Sequence, residues 1–181
     1  MVRLQVEDTA LKVDELFLIE PVVGNFVPPN GGWTVYEILE HISLTSHFLL
    51  ILIEKGTQKA LKNIHNLDLE TELAAYTFPK DTLEEVGIYQ SFTWIRPKHM
   101  EPTGTADLAA VRTKIQEQFK RCLAILDLLK NGEGVLYKTT MTVNNLGKID
   151  VYAYIYFLAK HAERHLEQVV RNINHHFDPA Q

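Results

Sequence analysis

The sequence predicts an all-α protein, a four-helix bundle, and three observations carry that reading. Four segments place apolar residues at steps of three and four, the spacing of one helix face. Two of them open on clear helix-start signals at Thr34 and Asp150. A long stretch, 57–104, separates the second segment from the third, and one long crossover is a known bundle connection. The 181 residues fit one domain, 1–181. A chain of this size buries about 70% of the surface it exposes when unfolded, so a core needs no staples.

The first helical segment covers residues 6–26. Val6, Ala10, Val13, Phe17 and Glu20 share one side, with Leu16 and Ile19 widening the stripe. Pro21 is expected to kink or end it, because proline lacks the N–H donor and clashes with the preceding turn. Pro28 to Gly32 is a turn signal. In the second segment, Thr34 caps, Glu37 completes a capping box, and Trp33 and Ile38 occupy staple positions. Ile38, Leu39, Ile42, Leu49, Leu50 and Ile53 follow, and Gly56 is a plausible exit residue. The third segment, 106–131, has the cleanest periodicity: Leu108, Val111, Ile115, Phe119, Cys122, Leu126 and Leu129, with Gly132 at its exit. The fourth, 151–174, is capped by Asp150, with Ile149 and Tyr154 as the staple pair. It carries Ile155, Leu158, Ala162, Leu166, Val169 and Ile173, and Asp178 and Pro179 follow it.

The stretches between are less regular. Short helical turns are expected around Thr57 to Asn63, and Val86 to Ile95 reads as a strand or a packed loop. Tyr137 to Val143 has strand propensity, and Asn144-Asn145 turns it back through Leu146 to Ile149 as a small hairpin before the fourth helix.

Composition excludes several partners. Net charge is −5 with no Lys or Arg run, so nucleic acid and anionic membrane lack the positive face they need. The single cysteine, Cys122, builds no disulfide framework, and a reducing cytoplasm is the default compartment. Residues 1–5 lack the apolar core of a signal peptide, and the longest strongly apolar run, Phe48 to Ile53, is too short to span a bilayer. Cys122 lies on an apolar stripe and reads as a buried, inert thiol.

The chemistry lies in the histidines. His161 and His165 are four apart, neighbours on one helix face, and two imidazoles so placed reach one ion at metal–nitrogen distances of about 2.1 Å. The spacing alone does not decide, since a helical histidine pair is more often exposed or hydrogen-bonded. A zinc protease is rejected: its motif needs Glu directly after the first His, where this chain has Ala162. Glu163 lies about 200° around the helix and points away. His41 is the third candidate ligand, on a helix otherwise apolar inward. It sits roughly 10 Å into its helix, and His165 about 14 Å from the end of the last one. Antiparallel packing makes those levels coincide. Parallel packing, with His161 about 15 Å from the shared end, is also tolerated. His47 does not share the His41 face, and His65, His99, His175 and His176 read as surface residues.

At two places the chain resembles a known family. Trp33 to Ile42, a Trp, a helix start and a His eight residues on, is similar to the DinB-like pattern. His161 to Val169, two histidines four apart followed by Gln168, resembles that family's last-helix signature. The resemblance covers the four helical segments and only vaguely 57–104. It implies a bundle of up-down-down-up order and a three-histidine metal site on His41, His161 and His165. It further implies metal-dependent transferases or isomerases that use a low-molecular-weight thiol such as bacillithiol or mycothiol, and homodimers.

Three neutral imidazoles leave a coordination position open, as catalytic zinc sites do. Zinc, nickel, copper and iron all suit such ligands, with zinc or nickel placed first. A bound thiol becomes a nucleophile, or a bound water becomes hydroxide for a hydrolase. The expected substrate is a small molecule. Gln168 shares the ligand face and is expected to orient a ligand or touch substrate, against a solvated role of equal weight. Thr45, four residues after His41, and Tyr154, seven before His161, are candidates for lining the site, with packing as the alternative. A non-catalytic metal-binding or partner-binding bundle is the competing function.

Overall fold

The computed structural model describes residues 1–29, 31–94 and 97–178. In chain order its elements are α1 (Val2–Glu15), α2 (Pro21–Gly24), α3 (Val35–Asn63), α4 (Leu69–Ala74), α5 (Lys80–Gly87), α6 (Leu108–Leu128), β1 (Lys138–Met141), β2 (Gly147–Asp150) and α7 (Val151–Phe177). Among the described residues the protein is all-α apart from one two-stranded hairpin.

The long helices α1, α3, α6 and α7 form the bundle. Helix α1 packs on α6 and α7, and α3 packs on the same two. End contacts give their directions. Arg112 at the start of α6 pairs with Asp14 at the end of α1, and Arg3 pairs with Asp127, so α1 and α6 run opposite ways. Asn172 near the end of α7 donates to the Trp33 carbonyl before α3 at 2.7 Å, while Val151 at its start meets Gly56 far along α3. Helices α3 and α7 are therefore antiparallel, the arrangement that brings His41 level with His165. The core between the helices is continuous and includes Ile38, Leu39, Ile42, Ile115, Phe119, Ile155 and Leu158.

The two helix starts marked by capping signals, at Thr34 and Asp150, are where the sequence places them. The Thr34 hydroxyl accepts from Glu37 N at 3.1 Å, and the Glu37 carboxylate accepts from Thr34 N at 2.8 Å. Asp150 accepts from the backbone N–H of Tyr152 and Ala153 at the head of α7. The hairpin forms as expected, antiparallel with Thr139 opposite Ile149. Asn144 and Asn145 turn it in the left-handed region, at φ 46° and 53°, which asparagine tolerates better than most residues.

Two expectations are corrected. The first helix is not continuous over 6–26. It begins at Val2, tightens into a 3-10 turn at Leu16–Leu18, and restarts with Pro21 in the first turn of α2. The break precedes Pro21 because proline forces the residue before it to extend, as Glu20 does at ψ 139°. Gly56 does not end the second helix, which continues to Asn63, so the turns expected at Thr57 to Asn63 belong to it. A Cβ on Gly56 would lie 3.2 Å from Val151 Cγ2, so this glycine permits a close helix crossing.

Of the two readings of Val86 to Ile95, the packed loop holds and the strand does not. Helix α5 ends at Gly87, and residues 88–94 form a loop, with Ile95 outside the described residues. Asn30 of the first turn and Pro179 after the last helix are outside them too.

Helix α3 is, among the described residues, the one helix long and apolar enough to cross a membrane, yet 61% of its most apolar window is buried inside the bundle. Core packing accounts for that apolarity. Because the capping box satisfies two terminal N–H groups of the helix that carries His41, Thr34→Ala is expected to lower stability by about 1 kcal/mol. Urea unfolding should show an earlier midpoint at an unchanged slope.

Candidate metal centre

His41 projects from the second turn of α3, and His161 and His165 project from one face of α7. All three are buried, at 5%, 3% and 7% exposure. Each offers a ring nitrogen, and the three nitrogens lie within 4.8 Å of one another. The Nε2 atoms of His161 and His165 are 3.3 Å apart. Two ligands at about 2.1 Å from a tetrahedral ion stand about 3.4 Å apart, so this pair already has that edge length. His41 needs a shift of order 1 Å to close the set, within ordinary side-chain motion.

Neighbours orient two of the rings. His41 Nδ1 is 2.7 Å from the Met100 carbonyl oxygen, which only accepts, so Nδ1 carries the proton and Nε2 faces the other imidazoles as a lone pair. His165 Nδ1 is 2.9 Å from Gln168 Oε1, and donation to that amide oxygen turns the Nε2 lone pair inward as well. Trp33 packs on the His41 ring at 4.7 Å between centroids, and Trp94 packs edge-on to His161 at 5.5 Å. His161 Nδ1 is buried with no hydrogen-bond partner among the described residues. Burial holds the His161 pKa well below its ordinary value, and the neighbouring His165, His41 and Arg164 lower it further.

The Met100 carbonyl is itself fixed. Glu40, one residue before His41, is buried and accepts from Thr103 N at 3.0 Å, Thr103 Oγ1 at 2.9 Å and Gly104 N at 3.1 Å. Its carboxylate ties the end of the crossover to α3 just beyond Met100. Glu163 points away from the imidazoles, as expected: it pairs with Lys160, whose Nζ is also 2.8 Å from Glu84. Burial alone would push Lys160 down, and those two carboxylates more than offset it.

The imidazoles stand in the wall of a cavity of about 750 Å³. Gln168, Thr45 and Tyr154 all line it. Thr45 Oγ1 is 3.5 Å from His41 Nε2, and the Tyr154 hydroxyl donates to the Thr140 carbonyl at 2.9 Å on the hairpin. Cys122 is buried away from the cavity, and desolvation raises its pKa to about 12, an inert thiol. His47, His65 and His99 are exposed, whereas His175 and His176 are half-buried, His176 packing edge-on to Phe26 at 5.0 Å.

The chain matches the DinB superfamily over residues 19–169. It belongs to that superfamily. The matched span holds all three histidines and Gln168, so the DinB region and the histidine cluster coincide. No curated protein and no solved structure matches the chain.

Sequence reading missed Met100, Glu40 and Arg164. Met100 contributes a backbone carbonyl, which leaves no residue-type signal. Glu40 and Arg164 are charged residues on helices whose charged faces read as solvated.

Two outcomes follow. Glu40→Ala strands the N–H groups of Thr103 and Gly104, and is expected to cost about 2 kcal/mol in urea unfolding. Long-range proton–nitrogen spectra of the variant should show His41 losing its single Nδ1–H tautomer. In metal-free protein, the depressed His161 pKa means the unfolded chain takes up a proton that the folded chain refuses as pH falls below about 6.5. Stability is therefore expected to be full above that pH and to decline on acidification toward the folded pKa. His161→Phe should flatten that part of the pH–stability curve.

Proposed function

We propose that this protein is a metal-dependent enzyme that holds one divalent ion on His41, His161 and His165 and acts on a small molecule in the adjoining cavity. The carrying observation is the convergence of three buried imidazoles, two with their outer N–H groups taken, on the wall of a cavity of about 750 Å³. That volume lies within the range of about 300–1,000 Å³ usual for small-molecule sites. A structural site surrounds its ion with four protein ligands, whereas three histidines leave a position for an exchangeable group.

The donor set is all nitrogen, which suits zinc or nickel. When bound, the ion supplies Lewis acidity and lowers the pKa of a thiol or water placed at the open position. The protein's own part is positioning. The Met100 carbonyl and Gln168 fix ring orientation, a role that commonly tunes metal affinity by about 10–100-fold. Trp33, Phe48 and Phe157 give the cavity an apolar wall. Thr45 and Tyr154 stand where they would touch a bound molecule. Membership of the DinB superfamily favours thiol-dependent S-transfer or isomerisation as the reaction, with a low-molecular-weight thiol as co-substrate.

Protein purified without a histidine tag is expected to carry one equivalent of zinc or nickel by elemental analysis, and His161→Ala is expected to carry less than a tenth of that. A full equivalent in His161→Ala, or none in the wild type after metal is supplied, defeats the ligand assignment. Conjugates formed from a thiol and an electrophile by the loaded protein, and absent with His161→Ala, would support the transferase reading.

A further inference from the structure

Arg164 lies three residues beyond His161 and lines the same cavity. Among the described residues of that lining it is the only lysine or arginine, and none is an aspartate or glutamate. A half-buried guanidinium normally sits against a carboxylate. Arg164 has none within 4 Å among the described residues, although Arg3, Arg112, Arg121 and Arg171 each have one. It is held in place instead by neutral groups. One N–H group donates to the Ile88 carbonyl at 2.8 Å, and the guanidinium lies 4.9 Å from the Trp94 ring centroid and 5.5 Å from that of Tyr89. Arginine carries five donors in a planar fork that matches a carboxylate, and it stays charged. The fork is therefore preorganised and charged, with no carboxylate in contact, since Glu167, which acts on it from farther off, pairs with Arg171. It stands at the edge of a cavity whose other walls include Phe48, Leu49, Phe92 and Phe157.

We propose that the cavity takes an anionic small molecule with an apolar body, and that Arg164 is the specificity residue that binds its carboxylate. The proposal rests on the cavity being the substrate site, as in the reading above, but not on an ion being bound. An aromatic or aliphatic body packs on the apolar wall, its carboxylate meets the guanidinium, and its other end reaches the imidazoles. The charge on Arg164 then disfavours cationic molecules while its fork binds anionic ones.

Both tryptophans of the chain, Trp33 and Trp94, line this cavity, so intrinsic fluorescence reports on its occupancy. Metal-free and cobalt-loaded protein would be titrated with 3-phenylpropionate and with its neutral amide. In the wild type the carboxylate is expected to bind about tenfold tighter than the amide, as a charge-assisted contact implies. In Arg164→Gln the two should bind within about twofold, and Arg164→Lys, which keeps the charge without the planar fork, should hold an intermediate preference. Equal binding of both probes by the wild type, no binding of the carboxylate, or a preference undiminished in Arg164→Gln overturns the proposal. If Arg164→Gln fails to fold by circular dichroism, a full wild-type preference in Arg164→Lys is the overturning result. A wild type that takes up no cobalt sinks the metal reading alone, and the metal-free titration still decides this one. A preference seen only with cobalt, and surviving in Arg164→Gln, assigns the carboxylate to the ion and likewise overturns the role of Arg164.

Discussion

Everything distinctive in this bundle follows from three buried imidazoles meeting at the wall of its cavity. A buried polar ring costs free energy unless its nitrogens find partners. The protein supplies partners on the outer side of two rings, through the Met100 carbonyl and Gln168, and turns the inner nitrogens toward one another. Inward-facing lone pairs a few ångströms apart repel unless a proton or cation lies between them. Burial disfavours a second proton on His161, whose pKa is depressed, and the one N–H of the neutral ring can lie on Nε2, across the 3.3 Å to His165 Nε2. The cluster thus gathers three neutral nitrogen donors about one point, an arrangement that suits a metal ion.

That geometry makes the crossover a working part of the molecule. Residues 88–94 and 97–104 carry no long helix, yet both ends are tied down by charged groups of the bundle. The Glu40 carboxylate holds Thr103 and Gly104, while Glu167 accepts from Tyr89 N at 3.2 Å and Arg171 lies 4.7 Å from the Tyr89 ring centroid. The loop thereby delivers the Met100 carbonyl to one histidine and the Trp94 ring to another. Rigid helices supply the ligands and the anchored loop supplies their surroundings, the usual division between scaffold and variable wall.

Local chemistry is legible where it repeats along the chain. The capping box at Thr34, the Asp150 cap, the asparagine turn and the His161–His165 spacing depend on residues within a few positions of each other, and the structure contains all of them. Gln168 is readable for the same reason, as it lies one turn beyond His165. Gly56 misleads because a glycine that ends a helix and one that lets two helices touch look alike, and only the approach of Val151 separates them. The 88–94 loop resembles a strand because its aromatics are spaced for packing, and what they pack on, Arg164 and Arg171, lies in the last helix. Met100 acts through its backbone, and no pattern of side chains announces that.

The charges of α7 are sorted around its axis with a chemical consequence. On the face turned from the cavity, Lys160 sits between Glu84 and Glu163, so its charge is cancelled locally. On the cavity face the helix presents His161, Arg164, His165 and Gln168 without an acid. A chain of net charge −5 has kept the carboxylates of its described residues out of this one cavity. A divalent ion held by neutral imidazoles keeps its full charge, whereas a carboxylate ligand would have neutralised part of it. That undiminished charge would act on whatever occupied the open position, favouring a thiolate or hydroxide over its conjugate acid. With such an ion bound, Arg164 would give the cavity a second positive point, and low-dielectric walls would strengthen that field. The same exclusion of acids that would keep an ion potent would also favour an anionic molecule beside it.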